Sequence, residues 1–146
     1  MQYNMTTIVY DHKNKTISWD SRQTSNSGEI KSDKVKKHHI FNGVHFWIAG
    51  AVCDEDLMIQ HYFGESPSLV PECNCIAFDD GRVYRCGVNE QAIFWKEPLG
   101  HNDGFGSGRE WALAALDFGL SSKDAVKYAI KKDAFSGGKI HTMELK

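Results

Sequence analysis

Asn42-Gly43 separates two runs of different character. Asn-Gly is the dipeptide best suited to a two-residue hairpin turn, because both positions then take positive φ. The run after it, Val44-His45-Phe46-Trp47-Ile48-Ala49-Gly50-Ala51, is largely apolar and reads as a central, buried strand. Residues 34–41 form the strand before the turn, with Val35, Lys37 and His39 on one face and Lys36, His38 and Ile40 on the other. A second hairpin joins residues 73–79 to 82–88 across Asp80-Gly81, another type I′ pair. An opening hairpin joins 6–11 to 15–22 around His12-Lys13-Asn14, with Ile17 and Trp19 alternating against polar neighbours. Further strands are expected at 91–96 and 139–145, with loops at 25–28, 98–106 and 133–138.

Helical spacing covers three shorter stretches. Asp54 can cap a helix that runs to about Phe63 and stops at Gly64. A second helix at 109–118 places Trp111, Ala115 and Phe118 on one stripe and ends at Gly119. A third starts at a Ser121 or Ser122 cap, runs to about Lys132, and buries Ala125, Val126, Ala129 and Ile130. Strands, a short helix, strands, two helices and a strand make an α+β layered domain of antiparallel sheets and helices.

With 146 residues the chain supports one domain. A net charge of −2 argues against a nucleic-acid surface as its main business. No run approaches the ~18 apolar residues of a membrane span, and no signal peptide opens the sequence, so a cytosolic protein is expected. Cysteines stand at 53, 73, 75 and 86. They could hold zinc, but the spacing lacks paired CxxC knuckles, and buried free thiols are the better reading. No metal or cofactor is expected.

Thr6 carries the chemical interest. Were the chain to begin there, one residue would hold both a hydroxyl nucleophile and a free α-amine to act as its base. Such an amine has a pKa of about 7.7–8.0, close to the ideal for a base at neutral pH. A nearby lysine would lower it further, and an aspartate would hold that lysine in place. Asp20 and Lys37 lie on neighbouring strand segments, and the backbone N–H of Gly50 could serve an oxyanion. Read singly, each has a plainer explanation: Asp20 with Arg22 as a surface ion pair, the Lys36–His39 run as a solvated edge.

Six motifs in order change that balance: Thr6-Thr7-Ile8-Val9, Asp20-Ser21-Arg22-Gln23-Thr24, Val35-Lys36-Lys37, Ala49-Gly50-Ala51-Val52-Cys53-Asp54, Gly106-Ser107-Gly108 and Asp133-Ala134-Phe135-Ser136-Gly137-Gly138. Together they resemble the proteasome β-subunit and HslV family of N-terminal nucleophile (Ntn) hydrolases, over nearly the whole chain from Thr6 on. The resemblance implies an αββα layered sandwich, with residues 1–5 an extension or propeptide and 6–146 the domain. It implies Thr6 as nucleophile, Lys37 and Asp20 as its tuning pair, and Gly50 N–H as oxyanion donor. Ser107, Asp133 and Ser136 would support the nucleophile's amine. Thr24, Gly50 and Val52 would bind a peptide as an added strand, the β-augmentation mode. Gln23, Val35, Ile48 and Val52 would line the pocket for the residue before the cut, favouring an apolar side chain there. The implied activity is a threonine endopeptidase acting on peptide or unfolded protein, as a homo-oligomer, with an AAA+ unfoldase as a possible partner.

The sequence departs from the family pattern in two places. The helical hairpin usual after the Ala49-Gly50 strand is reduced to residues 54–63, which shortens the first helical layer and puts the stacked-ring assembly in question. Met5, rather than glycine, precedes Thr6. Translation from Met5 would free Thr6 by methionine removal, whereas a start at Met1 leaves the amine blocked. Two other functions are therefore weighed: an Ntn amidase acting on a small amide, and a non-catalytic proteasome-like scaffold.

Overall fold

The computed structural model describes residues 5–146 in full and residues 2 and 3 as backbone. Of the extension expected at 1–5, Met1 and Asn4 thus lie outside the described residues. Two sheets stack face to face. One has the order β11-β2-β3-β12, built from Asp103–Phe105, Ile8–Asp11, Thr16–Trp19 and His141–Glu144. The other has the order β10-β9-β8-β7-β6, built from Phe94–Pro98, Arg82–Val88, Cys73–Asp79, Val44–Gly50 and His38–Phe41. All pairings are antiparallel. A small third sheet places β4 (Gln23–Ser25) between β1 (Gln2–Tyr3) and β5 (Ile30–Ser32).

Strand alternation sorts side chains into three apolar layers. Ile8, Tyr10, Ile17 and Trp19 of the first sheet meet Trp47, Ala49, Ile76 and Val83 of the second, forming the core between the sheets. Val9 points the other way, onto Ala112, Ala115, Leu116, Ala125, Val126 and Ala129 of α2 (Arg109–Asp117) and α3 (Ser122–Lys132). Phe46, Ile48, Cys75 and Ala77 point outward from the second sheet to Met58 of α1 (Glu55–Tyr62). The result is an αββα sandwich whose first helical layer is α1 alone. No described helix is long and apolar enough to cross a membrane. Among the described residues no three His, Cys, Asp or Glu side chains gather as a metal site would need. Cys75 and Cys86 stand opposite each other as buried free thiols.

Both type I′ turns form as expected, with φ of +50° and +78° at Asn42-Gly43 and +49° and +76° at Asp80-Gly81. Ser121 caps α3 by accepting from Asp124 N at 3.2 Å. Several expectations need correction. Asp54 precedes α1 but does not cap it; its carboxylate accepts instead from Glu72 N at 2.9 Å, tying down the loop that returns to β8. The strand expected at 34–41 is regular only from His38. The strand expected at 91–96 begins at Phe94, because Asn89 Oδ1 takes the N–H groups of Gln91 and Ile93 into a turn. Residues 103–105, expected as loop, pair with β2, and the expected loop at 25–28 is the turn of a β4–β5 hairpin. Trp111 and Phe118 do not join Ala115 in the core: α2 buries Ala112, Ala115 and Leu116, and leaves Phe118 86% exposed.

This layering predicts opposite outcomes for two apolar truncations in urea unfolding. Ile17→Ala, in the fully buried layer between the sheets, should cost about 2–5 kcal/mol. Phe118→Ser should stay within about 0.5 kcal/mol of the parent.

Candidate active site

Thr6, Asp20 and Lys37 come together although they belong to three separate segments, and all are buried. Thr6 precedes β2, Asp20 follows β3, and Lys37 immediately precedes β6, so each lies where a strand meets a loop at one end of the sandwich. Lys37 Nζ donates to Thr6 Oγ1 and, at 2.7 Å, to Asp20 Oδ1. Asp20 also accepts from Thr7 N through Oδ1 at 3.2 Å and from Gly137 N through Oδ2 at 2.8 Å. The Lys37 carbonyl accepts from Ile48 N at 3.2 Å, fixing the lysine's backbone to the central strand.

Burial pushes the Lys37 ammonium below the ordinary lysine range, and the Asp20 charge opposes that shift. Burial likewise pushes Asp20 up, against Lys37 and the two backbone donors. Desolvation thus drives both groups toward neutrality while their contact drives them toward charge. The hydrogen-bond geometry decides for the ion pair. Three donors converge on Asp20, and a protonated carboxyl would turn a fourth proton into a space already filled with donors. Lys37 is therefore an ammonium held between the Asp20 carboxylate and the Thr6 hydroxyl.

Both smaller motifs complete the surroundings of Thr6. At Gly106, with φ +100°, an added Cβ would lie 2.0 Å from the Thr6 carbonyl oxygen. At Gly108 it would lie 1.9 Å from Thr7 Oγ1, and the Gly108 N–H donates to Thr6 O at 3.2 Å. Glycine at both positions lets the loop close onto the Thr6-Thr7 backbone. Between them, Ser107 Oγ reaches Met5 O at 2.9 Å and Asp133 Oδ2 at 2.5 Å, with one proton to serve both. Ser136 Oγ donates to Asp133 Oδ2 at 2.6 Å, leaving Thr7 Oγ1 to donate to Ser136 Oγ at 2.8 Å. Ser107, Asp133, Ser136 and Thr7 thus make one chain of hydrogen bonds alongside Thr6.

The residues named for substrate binding are more scattered. Gly50 ends β7 at φ +129°, and Val52 begins the 3-10 turn Val52–Asp54 that follows. Gln23 and Thr24 lie on β4, where Thr24 Oγ1 is buried and, among the described residues, makes no hydrogen bond. Ile48 is fully buried against the α1 side of its sheet, and Val35 lies instead on the wall of a cavity with Trp19 and His38. Gln23, Val35, Ile48 and Val52 thus belong to four different segments, with Val35 half-buried and Ile48 fully buried. The edge of β4 is taken: β1 pairs with it antiparallel, Tyr3 opposite Thr24 and Gln2 opposite Ser25.

Two residues take part that the sequence assigned no role at the site. Thr7 was legible only as the neighbour of Thr6, although strand alternation puts its side chain on the helix side, where Ser136 waits. Arg22 pairs with Asp33, at 2.8 and 3.1 Å, and not with Asp20. It also donates to Ala134 O at 3.0 Å, clamping the loop before Lys37 to the turn that carries Asp133 and Ser136.

The fold is an Ntn-hydrolase-like αββα sandwich, and a threonine, a lysine and an aspartate meet at one end of its sheets. Solved structures share that fold. Eukaryotic HslV from Trypanosoma brucei superposes with a TM-score of 0.71 at 16% identity, over 94% of this chain and 97% of that one. Thiobacillus denitrificans BPH in complex with epoxomicin gives 0.65 at 15% identity, over 96% and 99%. A second structure of Thiobacillus denitrificans BPH gives 0.63 at 16% identity, over 100% and 99%. No protein-family model and no curated protein sequence matches the chain, so the likeness is one of fold.

The buried pair sets a pH signature. The folded pKa of Asp20 is raised above 3.8, so the stability it contributes is present below that value and lost as pH rises through the folded pKa. Lys37→Met removes the counter-charge and raises that pKa further. The variant should lie about 3–5 kcal/mol below the parent at pH 7, with most of the gap closing on acidification. Asp20→Asn on the Lys37→Met background should recover most of the loss at pH 7. Urea titrations across pH check both.

Proposed function

We propose that the chain is a threonine peptidase whose nucleophile is Thr6, set free by loss of residues 1–5. The observation that carries this reading is the contact of the buried Lys37 ammonium with the Thr6 hydroxyl, with Asp20 fixing the lysine from behind. With the amide to Met5 gone, the Thr6 α-amine sits beside that ammonium, which holds its pKa down and keeps it an effective base. The amine takes the hydroxyl proton as Oγ1 attacks the substrate carbonyl. Gly50 N–H is the donor assigned to the oxyanion. The amine then returns the proton to the leaving nitrogen, and water hydrolyses the remaining ester to release a carboxylate and restore Thr6.

Substrate would enter as a strand along β4. The pairing of β1 there supports this mode, because it shows the β4 edge in a geometry that accepts an antiparallel strand. In this reading the extension and a peptide substrate compete for one edge, and Thr24 is a contact for either. The exposed rings of Phe41 and Phe63, with centroids 5.8 Å apart, form an apolar patch that supports a homo-oligomer. An AAA+ unfoldase as feeder rests on the likeness to HslV.

One observation favours the non-catalytic scaffold instead. The extension is anchored, with β1 on β4 and Met5 O held by Ser107, and in that state Thr6 has no free amine. A small-amide substrate remains the third option within the same chemistry.

The readings separate on a chain beginning at Thr6. It should hydrolyse short peptides with an apolar residue before the cut, whereas the chain with residues 1–5 intact should not. Thr6→Ala should abolish the activity, and Lys37→Ala should lower kcat/KM by about 10²–10⁴. Full activity in Thr6→Ala, or none in any Thr6-initiated chain on peptides or small amides, would overturn the proposal.

A further inference from the structure

Behind the segment that delivers Lys37 lies a cavity of about 400 Å3, at the edge where β12 faces β6. Its floor is aromatic. Trp19 is nearly buried, His141 stacks on it with ring centroids 5.5 Å apart, and His38 approaches at 5.4 Å while stacking on Trp47 at 4.7 Å. The rings are anchored: His38 Nε2 bonds His45 Nδ1 at 2.8 Å, and His141 Nε2 lies 3.1 Å from Ser21 Oγ, which itself donates to Lys139 O at 2.6 Å.

The rim is cationic. Lys34, Lys36 and Lys139 line it, exposed, and none makes an ion pair among the described residues. The acid on the wall, Asp33, is already held by Arg22 through two nitrogens. The opening thus carries three lysines and one acid, and that acid is already neutralised. Burial holds His38 down to about 4 and pushes His141 below the usual imidazole range, so both rings are neutral at pH 7 and the positive charge belongs to the lysines.

We propose that this cavity is a binding site for a small aromatic anion, its ring against Trp19, His38 and His141 and its carboxylate or phosphate among Lys34, Lys36 and Lys139. An apolar floor with a few polar groups at the mouth is the usual make-up of a small-molecule pocket, and a planar ring matches its aromatic lining. The lysine stems leave their ammonium groups free to converge on a single anionic group. Because Lys36 and His38 flank Lys37, and Val35 N donates to Ser21 O at 3.0 Å, a bound ligand would touch the segment that carries Lys37 to Thr6.

The test is an NMR titration of the full-length chain with phenylpropionate, phenyl phosphate and the uncharged phenylpropionamide. It reads binding alone and stands apart from the peptidase proposal. At least one anion should saturate below about 10 mM, shift the Trp19 indole and the His38 and His141 ring signals, and bind about tenfold tighter than the amide. The triple variant Lys34→Gln, Lys36→Gln, Lys139→Gln changes exposed side chains only and should weaken the anion about tenfold while leaving the amide unchanged. The better anion identifies the preferred head group. No saturable shift, shifts centred on other residues, or unchanged anion affinity in the triple variant would overturn the proposal.

Discussion

Two opposite charges, Asp20 and Lys37, are sealed from solvent at 2.7 Å, and neither tolerates the loss of the other. Much of the local structure follows from keeping them satisfied. Thr7 N and Gly137 N both turn to Asp20, which binds the start of β2 to the turn after α3. The lysine's spare proton then meets Thr6, the neighbouring hydroxyl. A buried ion pair is weak evidence of stability, since a well-packed apolar pair often does as well. Here the lysine makes its other hydrogen bond to the Thr6 hydroxyl, the contact on which the proposed chemistry rests.

The surrounding loops are built to bring distant segments to that pair. Gly106 and Gly108 let the loop before α2 lie against the Thr6-Thr7 backbone, and Ser107 bridges it to Asp133. Arg22 and Asp33 draw the segment before Lys37 toward the turn that carries Asp133 and Ser136. Every one of these contacts joins residues far apart in the chain. The site is therefore a property of the folded sandwich, and no short peptide from it could hold the same geometry.

What was legible in the sequence divides along the same line. Asn42-Gly43, Asp80-Gly81 and the Ser121 cap act through their own backbone, and all took the expected form. Features decided by distant partners were harder to read. Asp54 had a helix to cap and a loop amide at Glu72 to hold, and the loop won. Residues 103–105 look like loop until β2 supplies an edge to pair with. Trp111 and Phe118 share a helical stripe with Ala115, yet the small residues face the sheet because alanines allow α2 and α3 to pack closely over Val9. At the site, Thr6, Asp20, Lys37, Ser107, Asp133 and Ser136 emerged from motif order and are adjacent in space. The burial of Ile48 against α1 and the place of Val35 on the wall beside Trp19 turn on sheet packing that motif order does not encode.

Covalent capture probes the proposal that Thr6 becomes a nucleophile once its amine is free. A β-lactone acylates a reactive hydroxyl by ring opening, adding its whole mass as an ester with no leaving group. Intact-mass and peptide mass spectrometry should find one adduct, on Thr6, in a chain beginning at that residue, and none when residues 1–5 are retained or Thr6 is alanine. Equal labelling with the extension in place, or labelling at another residue in the Thr6-initiated chain, would contradict the account.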